Sequence, residues 1–151
     1  MADYDPSQMP DLVPALTVRD PRASLAWFEK LGFHTLGTME MPNGEIGHAH
    51  VVRKGVHVML GPACPTTEPG ATGLELYVNL RDEDVDSLCD RARQGGVTIG
   101  EEPNDKFWGD RTFQVVHPDG YRITFAKHVR NVSEQEMQDA LNQWAAAEAT
   151  A

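Results

Sequence analysis

Histidine and carboxylate side chains are the residues of this chain that could do chemistry. His48 and His50 fall on one face of an alternating segment, and His57 shares the parity of Met59. With Glu75 they could hold a divalent ion, which needs several imidazole or carboxylate donors converging on one point. Strand spacing permits that arrangement without requiring it. The competing reading is of solvated or hydrogen-bonded histidines on half-exposed strands, because ligand histidines normally come with a full set of converging donors. No Ser-His-Asp or Cys-His arrangement has a recognisable spacing, so covalent catalysis finds no support. Cys64 and Cys89 show no metal or redox spacing and read as reduced thiols. Trp108, Asp110 and Arg111 precede a hairpin and could gate a cavity mouth. The alternative for them is a Trp108 packed in the core and a local Asp110–Arg111 ion pair.

The elements that must position these groups can be read from the rest of the sequence. Phe107 to Lys127 reads as two strands around Pro118-Asp119-Gly120, where proline presets φ, the Asp side chain can bond its own backbone and glycine accepts a positive φ. Residues 1–10 lack periodicity and read as a flexible arm. Leu12 to Val18 alternates as a strand, and Asp20-Pro21 starts a helix carrying Leu25, Phe28 and Leu31 that Gly32 stops. Trp27 and Phe28 adjoin on it, so at least one must be core. Phe33 to Leu60 returns to strands, with turns at Pro42-Asn43-Gly44 and Arg53-Lys54-Gly55. The proline- and glycine-rich stretch that follows is a connection. Leu74 to Leu80 is again a strand. Asp82 is expected to cap a helix with Val85, Leu88, Cys89 and Ala92 at helical spacing, ended by Gly95-Gly96. Val97 to Gly100 and a loop through Pro103 lead to the hairpin.

The two halves match. Arg19-Asp20 corresponds to Arg81-Asp82, Ser24-Leu25 to Ser87-Leu88, and Lys54-Gly55 to Asp119-Gly120, each of the last two before a strand. The fold class expected is therefore α+β. Two βαβββ modules, at 11–64 and 74–129, form curved mixed sheets around a cavity with helices outside, joined by a linker at 65–73. A C-terminal helix within 130–151 opens on the capping box Ser133-Glu134-Gln135-Glu136. Its stripe of Met137, Leu141 and Trp144 is core or interface, packed on its own sheet or on a second copy.

Composition narrows the function. The chain has 151 residues, 40% of them hydrophobic, and a formal net charge of -10. Binding of nucleic acid is not expected, since phosphate contacts need clustered Lys and Arg. No apolar run is long enough for a membrane span and no signal peptide is evident, so a cytoplasmic location is expected.

The doubled pattern, Val-Pro-Ala-Leu-Thr-Val-Arg-Asp at 13–20, and Trp-Gly-Asp-Arg-Thr-Phe at 108–113 followed by His-Pro-Asp-Gly-Tyr at 117–121 resemble the glyoxalase, bleomycin-resistance and extradiol-dioxygenase superfamily. These are the vicinal oxygen chelate proteins, and the resemblance covers about residues 11–129. It implies four inward-facing positions that hold a metal ion in the metal-dependent members. Counted from Asp20 and Asp82 they fall on Val13 and Glu75, and from Gly55 and Gly120 on Met59 and Thr124. Only Glu75 is a good donor for a hard or borderline divalent ion, so no metal and no other cofactor is expected.

With those positions facing inward, alternation puts Val13, Ala15, Thr17, His57 and Met59 on the cavity wall of the first module. Glu75, Tyr77, Asn79, Arg122 and Thr124 line the second, with Trp108 at the mouth. Glu75 would attract a cationic or hydrogen-bonding ligand group, or else pair with Arg122 as a structural ion pair. The function expected is metal-independent binding of a small molecule, such as an antibiotic or toxic compound, by a homodimer whose subunits share the cleft. The alternative is a metal-dependent lyase, isomerase or dioxygenase with a displaced divalent site at His48, His50, His57 and Glu75. Whether any reaction is catalysed stays open at this level.

Overall fold

A computed structural model describes residues 9–63, 69–70 and 73–150. Most of the expected arm, most of the expected linker and Cys64 at the end of the expected first module lie outside the described residues. The first half runs β1 (Ala15–Val18), α1 (Pro21–Glu29), β2 (His34–Glu40), β3 (Ile46–Arg53) and β4 (Val56–Pro62). The second runs β5 (Glu75–Asn79), α2 (Val85–Gln94), β6 (Thr98–Asp105), β7 (Asp110–Val116) and β8 (Arg122–His128), followed by α3 (Glu134–Ala149). The sheets have strand orders β1-β4-β3-β2 and β5-β8-β7-β6, the same topology twice. In each the first strand lies parallel to the last and the remaining pairs are antiparallel.

Each sheet buries one face under its own helix. Leu16, Val18, Val51, Val58 and Leu60 pack with Trp27, Phe28 and Leu31 of the α1 segment, so both adjoining aromatics are core. Phe113, Val115, Ile123 and Phe125 pack with Val85, Leu88, Cys89 and Ala92 of α2. Cys89 is a buried free thiol, and burial pushes its pKa up. Period-2 alternation leaves the other face of each sheet to the site.

Local signals account for most element ends. Asp20 caps α1, accepting from Ala23 N at 3.1 Å, with Pro21 in the first turn. Gly32 and Gly96 follow their helices at φ of 86° and 83°, where a side chain would be strained. Four expectations need correction. Asp84, not Asp82, caps α2, because its carboxylate reaches both Ser87 N and Ser87 Oγ at 2.9 Å. β1 begins only at Ala15, which leaves Val13 ahead of the strand. Pro103 lies within β6, on the sheet edge beside a register shift between Glu101 and Asn104, where a missing N–H is tolerated. Asp119 bonds the other module and not its own turn: its carboxylate accepts from Arg19 N at 2.9 Å.

The modules are further tied by buried groups. Tyr121 OH donates to Thr17 O at 2.7 Å. Arg53, 5% exposed, donates to Leu31 O at 3.1 Å, pairs with Glu83 and lies over the Phe125 ring.

α3 is capped by Ser133, which accepts from Glu136 N at 3.1 Å. None of its residues is buried, so its stripe is not core against its own sheet.

Candidate functional site

The parallel β5–β8 pairing sets Glu75 beside Arg122, Tyr77 beside Thr124 and Asn79 beside Ala126. Gln114 stands opposite Thr124 on β7, so these side chains share the face turned away from α2. Thr124 Oγ1 donates to Glu75 Oε1, and Gln114 Nε2 donates to the same oxygen at 3.2 Å. Arg122 donates to Gln114 Oε1 at 2.7 Å and does not pair with Glu75. The expected structural ion pair is therefore replaced by a relay through an amide, with both bonds to the carboxylate landing on one oxygen.

A second cluster adjoins it. Trp108 Nε1 donates to Tyr77 OH at 3.0 Å, and Tyr77 OH donates to Asp110 Oδ2 at 2.7 Å. Burial and the Asp110 carboxylate push the Tyr77 pKa up to about 12, so its phenol is a donor at neutral pH and not a base. His128 contacts Asp110 Oδ1 through Nδ1 at 3.2 Å and Asn131 Oδ1 through Nε2 at 2.8 Å. Two acceptors at two ring nitrogens favour the imidazolium, and Asn131 first and then Asp110 raise the His128 pKa. Trp108 is 37% exposed and Tyr77 44%, so this Trp is a surface platform and not core. Arg111 turns away from Asp110: it grips both carboxylate oxygens of Asp86, at 2.7 and 2.8 Å, and Asp105 at 3.0 Å. No local Asp110–Arg111 pair forms, because β-strand alternation sends adjacent side chains to opposite faces.

On the first sheet the corresponding face is histidine- and methionine-bearing. Met59 lies beside Ala15 and opposite His50, and Met39 lies opposite His48. His50 Nε2 and His57 Nδ1 are 3.0 Å apart and share a proton. Burial, then His57, then His48, lower the His50 pKa, which keeps that ring neutral. Between the halves lies a cavity of about 710 Å³. Of the expected residues it is lined by His57, Glu75, Tyr77 and Asn79, together with Leu12, Pro14, Leu74 and Arg81. Ala15, Thr17, Met59, Arg122 and Thr124 lie on strands of the two sheets outside its lining, as do Trp108 in the turn between β6 and β7 and Val13 ahead of β1.

Ser24, His117 and Asp119 also come together. Ser24 Oγ is 3.0 Å from His117 Nε2, and Asp119 Oδ2 is 3.9 Å from Nδ1. The arrangement is not a nucleophile. Asp119 N donates to His117 Nδ1 at 2.9 Å, so the ring proton sits on Nε2 and points at Ser24, the reverse of the tautomer a base requires. Ser24 and His117 are 3% and 2% exposed, out of a substrate's reach.

The family model described as Glyoxalase/Bleomycin resistance protein/Dioxygenase superfamily matches residues 12–125. This chain belongs to that superfamily. It is similar to an uncharacterized protein of Mycobacterium bovis, 30% identical over 141 residues that cover 88% of this chain and 93% of the relative. Among solved structures it is similar to TioX from Micromonospora sp. ML1, with 28% identity and a TM-score of 0.65 over 80% of this chain and 99% of that one. A superfamily member from Sphaerobacter thermophilus is 25% identical, with a TM-score of 0.60 over 76% of this chain and 94% of the other.

The superfamily's metal positions can now be tested against the strand register. Ala15 is level with Met59 and Tyr77 with Thr124, so the same pairing recurs in both modules of this superfamily member. The four positions offer a hydrocarbon, a thioether, a hydroxyl and one carboxylate already engaged by Thr124 and Gln114. That donor set does not fit a hard or borderline divalent ion. Among the described residues no three His, Cys, Asp or Glu side chains are grouped to hold a metal ion. Sequence reasoning missed Gln114 and His128. Gln114 shares the parity of Thr112 and could have been found by extending the inward list to β7; His128 carried no local signal.

Proposed function

We propose that this superfamily member binds a small organic molecule in the cleft beside the open face of its second sheet, without a metal ion and without making or breaking a bond. The observation that carries the reading is the state of Glu75. Its Oε1 is held by Thr124 and Gln114, while none of the described residues bonds Oε2. A fixed carboxylate with one open oxygen favours a ligand bearing an ammonium or another hydrogen-bond donor. The exposed rings of Tyr77 and Trp108 offer a flat apolar surface for the rest of it. Long-range attraction from a chain of net charge -10 acts in the same sense.

A second copy completes the cleft in this reading, its first sheet facing the second sheet of its partner. Open faces with Met39 64% and Tyr77 44% exposed leave room for that pairing. A thermal-shift screen of aromatic amines and divalent ions on chelator-treated protein tests the proposal, since a ligand of the native state raises the melting temperature by mass action. Stabilisation by an organic compound in the presence of chelator is expected. Stabilisation only after a divalent ion is restored would overturn it.

A further inference from the structure

β5 is an outer strand of the second sheet, bonded to β8 alone. Leu80 N donates to Ala126 O at 2.7 Å, and along a strand every second residue turns its backbone groups to the same side. Leu76, Val78 and Leu80 therefore serve β8. The N–H and C=O groups of Glu75, Tyr77 and Asn79 face the other way, where no strand or loop among the described residues takes them. Unpaired edge groups are a template for another extended chain. The cavity of about 710 Å³ runs along this edge, because every residue from Leu74 to Asn79 lines it, whichever face its side chain takes.

The charge of the lining changes sign from one end of β5 to the other. At the start stands Glu75, with Oε2 open. At the far end stand Arg53, Lys54 and Arg81, the first two placed there by ion pairs with Glu83 and Asp82 just past the strand. The acids of that end lie outside the lining and are engaged: Glu83 by Arg53 and Arg91, Asp82 by Lys54 at 3.8 Å, and Asp84 by the first turn of α2. Arg81 is exposed and has no ion pair among the described residues.

We propose that the cavity takes a short linear peptide with both ends free, added to the open edge of β5 as a parallel strand, its ammonium on Glu75 and its carboxylate on Arg81. This rests on the ligand reading above and deepens it, since the ammonium contact is the same. The order of the charges along β5 sets the direction of the peptide. Six residue steps from Glu75 to Arg81 span roughly 20 Å and an extended pentapeptide roughly 17 Å, at about 3.3 Å per residue, so the two side chains reach its ends. Main-chain bonds to Glu75, Tyr77 and Asn79 hold the peptide whatever its sequence, while charge-assisted bonds at its ends read its polarity and length.

Affinity selection on the full, chelator-treated chain tests the peptide site. The probes are pools of pentapeptides varied at their inner positions, with free ends, with an acetylated N-terminus or with an amidated C-terminus. Retention of free-ended peptides, at least tenfold above either capped pool, is expected by mass spectrometry. A retained peptide remade with methylated inner amides, which cannot donate to the strand edge, should bind at least tenfold more weakly in calorimetry. In Arg81→Gln, whose side chain is exposed so that folding is retained, the free acid should lose its advantage over the amide. If aromatic amines stabilise the protein but no peptide is retained, or capped and free pools are retained equally, the peptide is overturned and the ammonium cleft stands. Unchanged binding after amide methylation overturns the added strand. A protein that binds neither amine nor peptide overturns both readings.

Discussion

Gly109→Ala is expected to destabilise the protein more than any other single methyl addition at the site. Gly109 has φ of 98°, a conformation that costs a residue with a side chain about 1–2 kcal/mol. The added Cβ also runs into the Arg130 carbonyl and crowds Val132. The chain after β8 must then retreat, which strains the bonds that Val129 N and Arg130 N donate to Gly109 O at 2.9 and 3.1 Å. Losing both adds about 2 kcal/mol at about 1 kcal/mol each, for a total of roughly 3–4 kcal/mol. For a chain of this size that lowers the melting temperature by about 6–16 °C. Differential scanning calorimetry of wild type and variant measures it. Trp108 and Asp110 flank the glycine, so the variant should also shift tryptophan emission to the red. A melting point within about 2 °C of wild type, with emission unchanged, would refute the argument that this glycine clamps the site to the strand that leads to α3.

Other expectations follow from the buried and paired groups. Arg53→Ala removes the guanidinium that joins Leu31 O, Glu83 and the Phe125 face, and should cost about 3 kcal/mol in urea denaturation, the range for breaking one side of a buried pair. His117 is buried neutral, and burial lowers its pKa below the ordinary 6.5. Its unfolded form therefore binds a proton first as pH falls, so stability present above pH 6.5 declines below it, by at most about 1.4 kcal/mol per pH unit. Denaturation at pH 7.5, 6 and 5 reads that slope, and His117→Gln should reduce it. His128 acts with the opposite sign: its raised pKa gives stability present below about 6.5 that is lost as pH rises through the folded value. His128→Asn should therefore destabilise at pH 5.5 more than at pH 8.5.

The duplicated topology was legible because its signals are local. Asp20-Pro21, Gly32, Gly95-Gly96 and the Pro118-Asp119-Gly120 turn each fix a boundary within a few residues, and hydrophobic alternation assigns the buried face. Alternation also put Glu75, Tyr77 and Thr124 together on one face, and the β5–β8 register sets Tyr77 beside Thr124 and Glu75 beside Arg122. What sequence could not supply was partner choice across long separations. Glu75 with Arg122 was a sound expectation from charge alone, yet Gln114 stands between them, and no pattern ranks an amide above a guanidinium. Asp110 and Arg111 were paired by adjacency, when pleating sends them to different neighbours. Asp82 and Asp84 are equivalent as capping residues in one dimension; the position of Ser87 decides between them only in three. The triad-like meeting of Ser24 with His117 spans the two modules, and its inertness rests on a backbone N–H that no side-chain pattern reveals.

The central claim is that Glu75, Tyr77 and Trp108 hold an organic ligand with no metal ion between them. Calorimetric titration of the strongest compound from the screen, into chelator-treated wild type and Glu75→Gln, tests it most directly. The account predicts binding to the stripped wild type with unchanged affinity when zinc or manganese is restored, and at least tenfold weaker binding to Glu75→Gln. Binding that appears only with the restored ion, or that is equal in the two proteins, would contradict it.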